Sequence, residues 1–196
     1  MNVLTETKQK WDSIHSKADV LVEPSACHVL TDNAHLLPKK GHALDIACGL
    51  GGNALFLAER SFNTLAIDIS SVAIQHINNR QHPLIDARCE SVNASVLISA
   101  AFDIIVVSNY LDRTICDAIS DALAPGGLLF YQTFVQDKAD PEAGPKNPDF
   151  LLVENELLEL FASLKVLVFS DLGRQGDTET GIRNQSYLVA QRNQPE

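Results

Sequence analysis

The chemistry in this chain starts from two carboxylates and a cluster of glycines. In "ALDIACGLGGNALFLAER", residues 43–60, an apolar run carrying Asp45 enters a glycine-dense turn and passes directly into an alanine- and leucine-rich helix pattern. Glycines gather where the backbone turns through positive φ or approaches a ligand closely, at an entropic cost that a plain loop has no reason to carry. A turn between a strand and a helix presents free backbone N–H groups and the positive end of the helix to whatever lies beyond the strand. The next apolar run ends in Asp68, about twenty residues after the turn, where a carboxylate accepts both hydroxyls of a ribose. The spacing therefore describes a nucleotide-sized site.

The elements that must position these residues read as an alternation. Helical patterns over about 5–17 and 24–36 come first. "HALDIA" is then followed by the helix "GNALFLAER", "TLAIDI" by "SVAIQHINNR", "LIDARC" by a short polar segment with "ASVLIS", "FDIIVVS" by "DRTICDAISDAL", and "GGLLFYQTF" by a loop and "ENELLELFASL". Strand and helix in turn mean parallel pairing, right-handed crossovers and helices on both faces. "LKVLVFSDL" and "QSYLVAQR" have no helix pattern between them and pair as an antiparallel hairpin. The expected fold is a single Rossmann-like, doubly wound α/β sheet, mostly parallel, with an antiparallel C-terminal hairpin strand. Residues 1–196 read as one domain, with 1–37 as an N-terminal helical cap or lid. The Pro/Gly/charge-rich stretch 136–150 is long enough to be a functional loop.

Composition removes several alternatives. With 25 acidic against 15 basic residues, a net charge of -10, and "KK" at 39–40 as the single basic cluster, the chain lacks the phosphate-neutralising surface of a nucleic-acid binder. Its apolar runs fall short of a membrane span, and the polar start lacks a signal core, so the expected location is cytoplasmic. Cys27, Cys48, Cys89 and Cys116 show no metal-ligand spacing and read as reduced thiols, Cys48 as a packing residue. A small-molecule partner is favoured, with no metal; the oligomeric state is not written in the sequence.

As letters, Gly49, Gly51 and Ala54 also satisfy the dinucleotide fingerprint G-x-G-x-x-G/A, which is weak alone. Asp45 stands where dinucleotide folds have unbroken apolar residues. The whole stretch "LDIACGLGGNALFLAE" instead resembles the first motif of class I S-adenosylmethionine-dependent methyltransferases. The likeness continues through "AIDIS", "FDIIVVSNYL" and "LAPGGLLFYQTF" to the C-terminal hairpin, roughly residues 40–190. Asn53 in place of a third glycine, with the N-terminal "KWDSIH", is most similar to the small tellurite-resistance-type methyltransferases.

The resemblance implies S-adenosyl-L-methionine as cofactor. Asp45 and the backbone of Ala47, Cys48, Gly49 and Gly51, with Asn53 beside them, would surround its methionine part. Asp68 would hold the ribose and Ile69 the adenine face. Glu90 and Ser91 would bond the adenine edge, with Asp86 as a competing carboxylate, and Asn109 would face the methionine amino group or the methyl. Trp11, His15, Tyr110 and Arg113 are the substrate-side candidates, although Trp11 also reads as a helix anchor to the core.

The implied reaction is in-line transfer of a methyl group to a small-molecule acceptor, which needs positioning more than catalytic side chains; no catalytic residue is named. Two other readings stand: a non-catalytic cofactor-binding regulator on the same fold, and an NAD(P)-linked oxidoreductase, which lacks a nearby Tyr-x-x-x-Lys.

Overall fold

The computed structural model describes residues 3–17, 22–93 and 96–194. Seven strands form one sheet in the order β3-β2-β1-β4-β5-β7-β6. They are β1 (Gly41–Ile46), β2 (Phe62–Asp68), β3 (Ile85–Cys89), β4 (Phe102–Ser108), β5 (Leu123–Phe134), β6 (Lys165–Ser170) and β7 (Gln185–Gln191). β1 to β5 pair in parallel, and β7 enters antiparallel between β5 and β6. The helices are α1 (Val3–His15), α2 (His28–Asp32), α3 (Gly52–Ala58), α4 (Ser71–Asn78), α5 (Cys116–Ala122) and α6 (Glu156–Leu160). No helix among the described residues is long and apolar enough to cross a membrane.

The period-2 alternation of the strands divides the core between the two faces. Leu44, Ile46, Ile105, Val107, Leu129 and Tyr131 pack with Ile119 of α5 and with Leu157 of α6 and Phe161 just beyond it. The alternate residues Ala43, Ile104, Val106, Phe130 and Val189 pack with Val29 and Leu30 of α2 and Leu57 of α3. Each large side chain buried in this way is worth about 1.5–3 kcal/mol of transfer free energy. Continuing this face toward the C-terminal ends of β1, β4 and β5 gives Asp45, Ser108 and Gln132, and the start of the antiparallel β7 adds Gln185, so this end of the face is polar. Two open surface depressions, one lined by His42, Asn63 and Pro83, the other by Pro38, Gly126 and Gln191, lie at the opposite edge.

The expected helix over 24–36 is a correction. Only His28–Asp32 is α-helical, followed by a 3-10 turn at Ala34–Leu36. The N–H of Cys27 donates to Asn53 Oδ1 (2.9 Å) and that of Val29 to Gln132 Oε1 (2.8 Å). Tertiary acceptors thus take the donors at the start of the helix, and Cys27 stays extended. Of the expected helix over 5–17, residues 3–15 are helical; residues 1, 2 and 18–21 of the cap lie outside the described residues.

This extended stretch lies directly on α3. A Cβ built on Gly52 would sit 2.2 Å from the backbone oxygen of Ser25. Gly52→Ala is therefore expected to lower stability in urea unfolding by about 1–3 kcal/mol, the usual cost of overpacking. A wild-type midpoint would show that residues 24–27 do not rest on α3.

Candidate functional site

Five stretches meet at the C-terminal edge of the sheet: the glycine turn after β1, Asp68 and Ile69 at the end of β2, Glu90 and Ser91 after β3, Asn109 after β4, and α1 lying across them. Asp45 occupies the buried side of this edge. Its side chain is 0% exposed, with Oδ2 accepting from the N–H of Ala54 at 3.0 Å and Oδ1 from Asn53 Nδ2 at 3.3 Å. Burial dominates its electrostatics and pushes its pKa up to about 7. The bonds from Asn53 and Ala54 oppose this, and the charge of Asp68 adds to it.

Asn53 is equally committed. Its Nδ2 also donates to Ser108 Oγ at 3.0 Å, and its Oδ1 holds the Cys27 N–H. The side chains of Asp45 and Asn53 thus bond to the protein from the buried side and shape the turn. The turn itself is left-handed at Ala47, Gly49 and Gly51, with φ of 52°, 52° and 85°. Gly51 is required by close approach, since a Cβ there would meet Ile77 of α4 at 2.7 Å. The thiol of Cys48 is buried and its pKa is driven well above the ordinary value by that burial, so it is inert.

Asp68 is the better-placed carboxylate. Its Oδ2 accepts from the Gly49 N–H at 2.9 Å and its Oδ1 from the Ser70 N–H at 2.8 Å, one bond to each oxygen. Each oxygen retains acceptor capacity for a diol. Beside it, the Glu90 N–H donates to the Asp68 carbonyl at 3.0 Å, which sets Glu90 just past the strand end. Asp86, the competing carboxylate, lies within β3 opposite Leu65 and pairs with the Arg88 guanidinium at 2.6 Å. Its distance from the strand end favours Glu90 as the edge carboxylate. Ile69 is half-buried and Ser91 exposed.

α1 is fastened above this edge by Asp12, a residue the sequence reading did not single out. Asp12 Oδ1 accepts from Ser70 Oγ at 2.7 Å and from the Val72 N–H at 3.2 Å, while Oδ2 pairs with Lys8 Nζ at 3.0 Å. Partial burial raises its pKa, but the bonds from Ser70, Lys8 and Val72 outweigh this and bring it down to about 2. Asp12 therefore caps α4 from another helix. The sequence signal was the Lys8-to-Asp12 spacing of four, which marks a helix surface pair but not its target.

His15, one turn on, reaches the glycine turn. Its Cε1 lies 3.5 Å from where a Gly49 Cβ would stand, and its ring stacks on Trp11 with centroids 5.8 Å apart. Trp11 is 37% exposed, so the anchoring of Trp11 in the core is not observed. Among the described residues, leaving aside the chain neighbours of Gly49, no other atom comes within 4 Å of that Cβ position.

On the far side, Tyr110 is half-buried, and burial together with Asp112 pushes its phenol up to about 12. Arg113 is largely committed within the protein. Its guanidinium makes a two-point pair with Glu156 and donates to the carbonyls of Asp149 (2.7 Å) and Leu151 (3.0 Å). It clamps the end of the 136–150 loop. Among the described residues, no group of three or more His, Cys, Asp or Glu has the geometry to hold a metal.

Residues 43–127 match the protein-family model described as "Methyltransferase domain". No curated protein matches the sequence. Among solved structures, the chain is similar to TehB from Haemophilus influenzae (19% identity, TM-score 0.65, covering 87% of this chain and 64% of that one). It is also similar to a SAM-dependent methyltransferase from Methanosarcina mazei (22% identity, TM-score 0.62, covering 88% and 100%). The [4+2]-cyclase SpnF has the same fold (18% identity, TM-score 0.70, covering 99% and 98%). Residues 43–127 thus resemble a methyltransferase domain, and the chain as a whole shares the fold of these solved structures.

The state of Asp45 has a measurable consequence. With its pKa at about 7 folded and 3.8 unfolded, the folded chain holds a proton that the unfolded chain releases. The stability from this proton is full below the unfolded value and is lost as pH rises through the folded one. Asp45→Asn removes the titration. The difference in urea unfolding free energy, wild type minus variant, is expected to fall by roughly 1–3 kcal/mol from about pH 5 to about pH 8. An unchanged difference would place the folded pKa outside that window.

Proposed function

We propose that this chain is an S-adenosylmethionine-dependent methyltransferase that methylates a small-molecule acceptor held between α1, the loop after β4 and the 136–150 loop. The observation that carries the reading is the arrangement at the sheet edge: a left-handed glycine turn, the Asp68 carboxylate tied to the Gly49 N–H, and His15 of α1 beside Gly49. In this reading the backbone of Ala47 to Gly51 cradles the methionine part, while Asp45 and Asn53 hold that backbone from behind. Asp68 holds the ribose, Ile69 lies against the adenine, and Glu90 with Ser91 meets its edge. When bound, the cofactor supplies an electrophilic methyl carbon on a sulfonium.

The chain's own residues supply position and dryness. α1, as part of a cap over residues 1–37, excludes water from the edge through Trp11 and His15, and Asp12 latches it to the start of α4. Arg113 fixes the loop end at Asp149 and Leu151, so the acceptor side has a set shape beside Tyr110 and Asn109. Holding an acceptor in line with the methyl is the main requirement of such a displacement.

Isothermal titration with S-adenosylhomocysteine is expected to show micromolar binding, and titration with NADH none. Asp68→Ala should weaken the former by about 1.5–3 kcal/mol, the worth of hydrogen bonds to a charged group. NADH binding without a response to S-adenosylhomocysteine would overturn the reading in favour of an oxidoreductase.

The exposed stack of Trp11 on His15 makes a second expectation. The fluorescence of Trp11, the single tryptophan of the chain, should change on adding S-adenosylhomocysteine and stop changing in Asp12→Ala, where α1 is unlatched. An unresponsive Trp11 in a chain that binds the ligand would show that α1 is not part of the site.

A further inference from the structure

Behind Asn109 runs a chain of side-chain amides that the proposed transfer has not yet used. The Val29 N–H donates to Gln132 Oε1 at 2.8 Å, Gln132 Nε2 donates to Gln185 Oε1, and Gln185 Nε2 donates to Asn109 Oδ1. The first member fixes the direction of all the others. A backbone N–H can only donate, so Gln132 must turn its oxygen toward Val29 and its nitrogen toward Gln185. Gln185 must then receive with its oxygen and donate onward with its nitrogen. Asn109 consequently spends its oxygen inward, and its Nδ2, for which no partner is recorded among the described residues, is left to face outward at the end of β4.

The relay starts in the core and runs out to the surface, with Gln132 buried, Gln185 half-buried and Asn109 exposed. Gln132 is 4% exposed in an otherwise apolar stretch of β5, and it lies on the face that also carries Val29. Reversing one amide there would set two donors or two acceptors against each other in a dry setting, at the cost of an unmade buried hydrogen bond. Asn109 itself is held in the left-handed conformation, φ 56°, while its backbone N–H donates to the Gln132 carbonyl at 2.9 Å. Both backbone and side chain of Asn109 are thus set by β5.

We infer that Asn109 acts at the acceptor site as a dedicated hydrogen-bond donor, and that the acceptor substrate presents a lone-pair oxygen, carboxylate or carbonyl, rather than an ammonium to the end of β4. The inference rests on the methyl-transfer reading and refines it. Asn109 becomes a specificity residue, with Gln132 and Gln185 as the positioning residues behind it. It also redirects the expectation that Asn109 receives the methionine amino group, because its oxygen is turned toward Gln185 and its nitrogen away from it.

The test follows the side-chain amide resonances of the 15N-labelled full chain, with the Asn109 pair identified by its absence in Asn109→Asp. Acetate is titrated as the lone-pair oxygen probe and methylammonium as the donor probe, each with and without S-adenosylhomocysteine. The Asn109 NH2 pair is expected to move with acetate and not with methylammonium. In Gln185→Glu, where the neighbour can only accept, Asn109 turns its nitrogen inward and the acetate response is expected to vanish.

Three results would overturn the inference: a pair that moves with methylammonium, a pair that ignores acetate, or a pair that shifts with S-adenosylhomocysteine alone and no further with acetate. The last would assign the donor to the cofactor. Absence of S-adenosylhomocysteine binding would instead sink the methyl-transfer reading, while the cofactor-free arm still reports the polarity of Asn109. The wild-type titration requires no variant beyond the one used for assignment, so a poorly folded Gln185→Glu chain leaves the result decisive.

Discussion

A carboxylate with no access to water at the end of a central strand has to be given hydrogen-bond donors, and the site grows from how this chain meets that demand for Asp45. β1 is flanked by β2 and β4, so the strand edges offer nothing. The donors come from the start of α3, through the Ala54 N–H and the Asn53 amide. For α3 to begin so close to the strand, the connecting backbone must double back through left-handed residues, and Gly51 must pass within contact of Ile77. Asn53 then has an oxygen left over, which holds Cys27 and draws the preceding segment across α3. One buried acid thus sets the turn, the helix start and the path of residues 24–29.

The contrast between the two ends of the site is one of solvent. On the sheet side Asp45, Asn53 and Gln132 are engaged inside a packed face, which makes the geometry rigid. On the α1 side the attachment consists of Asp12 at the start of α4, with Lys8 bridging to Ser71, and the aromatic pair above it stays exposed. Bonds of that kind, partly in water, are worth little each and are remade easily. A firm floor and a loosely latched roof are what a site needs if its ligand must enter and then be kept from water.

Much of this was legible in the letters. The seven strands were apolar runs bounded by polar or glycine residues, and each appears where the alternation put it. Asp45 and Asp68 stood out because acids are rare in such runs. The 24–36 helix failed because its apolar spacing was real but its first N–H groups had better acceptors in α3 and β5, which no local pattern records. Arg113 read as a substrate-side candidate, and its partner Glu156, far along the chain, is delivered to its guanidinium only by the fold. Gln132 and Gln185 were visible as polar letters at alternate positions in apolar strands, yet their meaning lay in a face shared by strands distant in sequence. Asp12 was hidden for the same reason.

The topology explains why the ligand edge falls where it does, independently of any ligand. The chain moves outward from β1 to β2 and β3, then returns to β4 on the other side of β1, so the two crossovers depart in opposite directions at the β1/β4 boundary. α3 covers one face and α5 the other, so the helical layers part at this boundary. The two residues that leave the sheet at this boundary, Ala47 and Asn109, are both left-handed, a conformation that costs a non-glycine residue free energy unless the surroundings enforce it. In each case they do: Cys48 continues the ladder through the Ile67 carbonyl, and Asn109 through that of Gln132. The strands therefore peel apart at the one place where the helices have already parted. The cleft is a product of connectivity, and the residues along it decide only what it accepts.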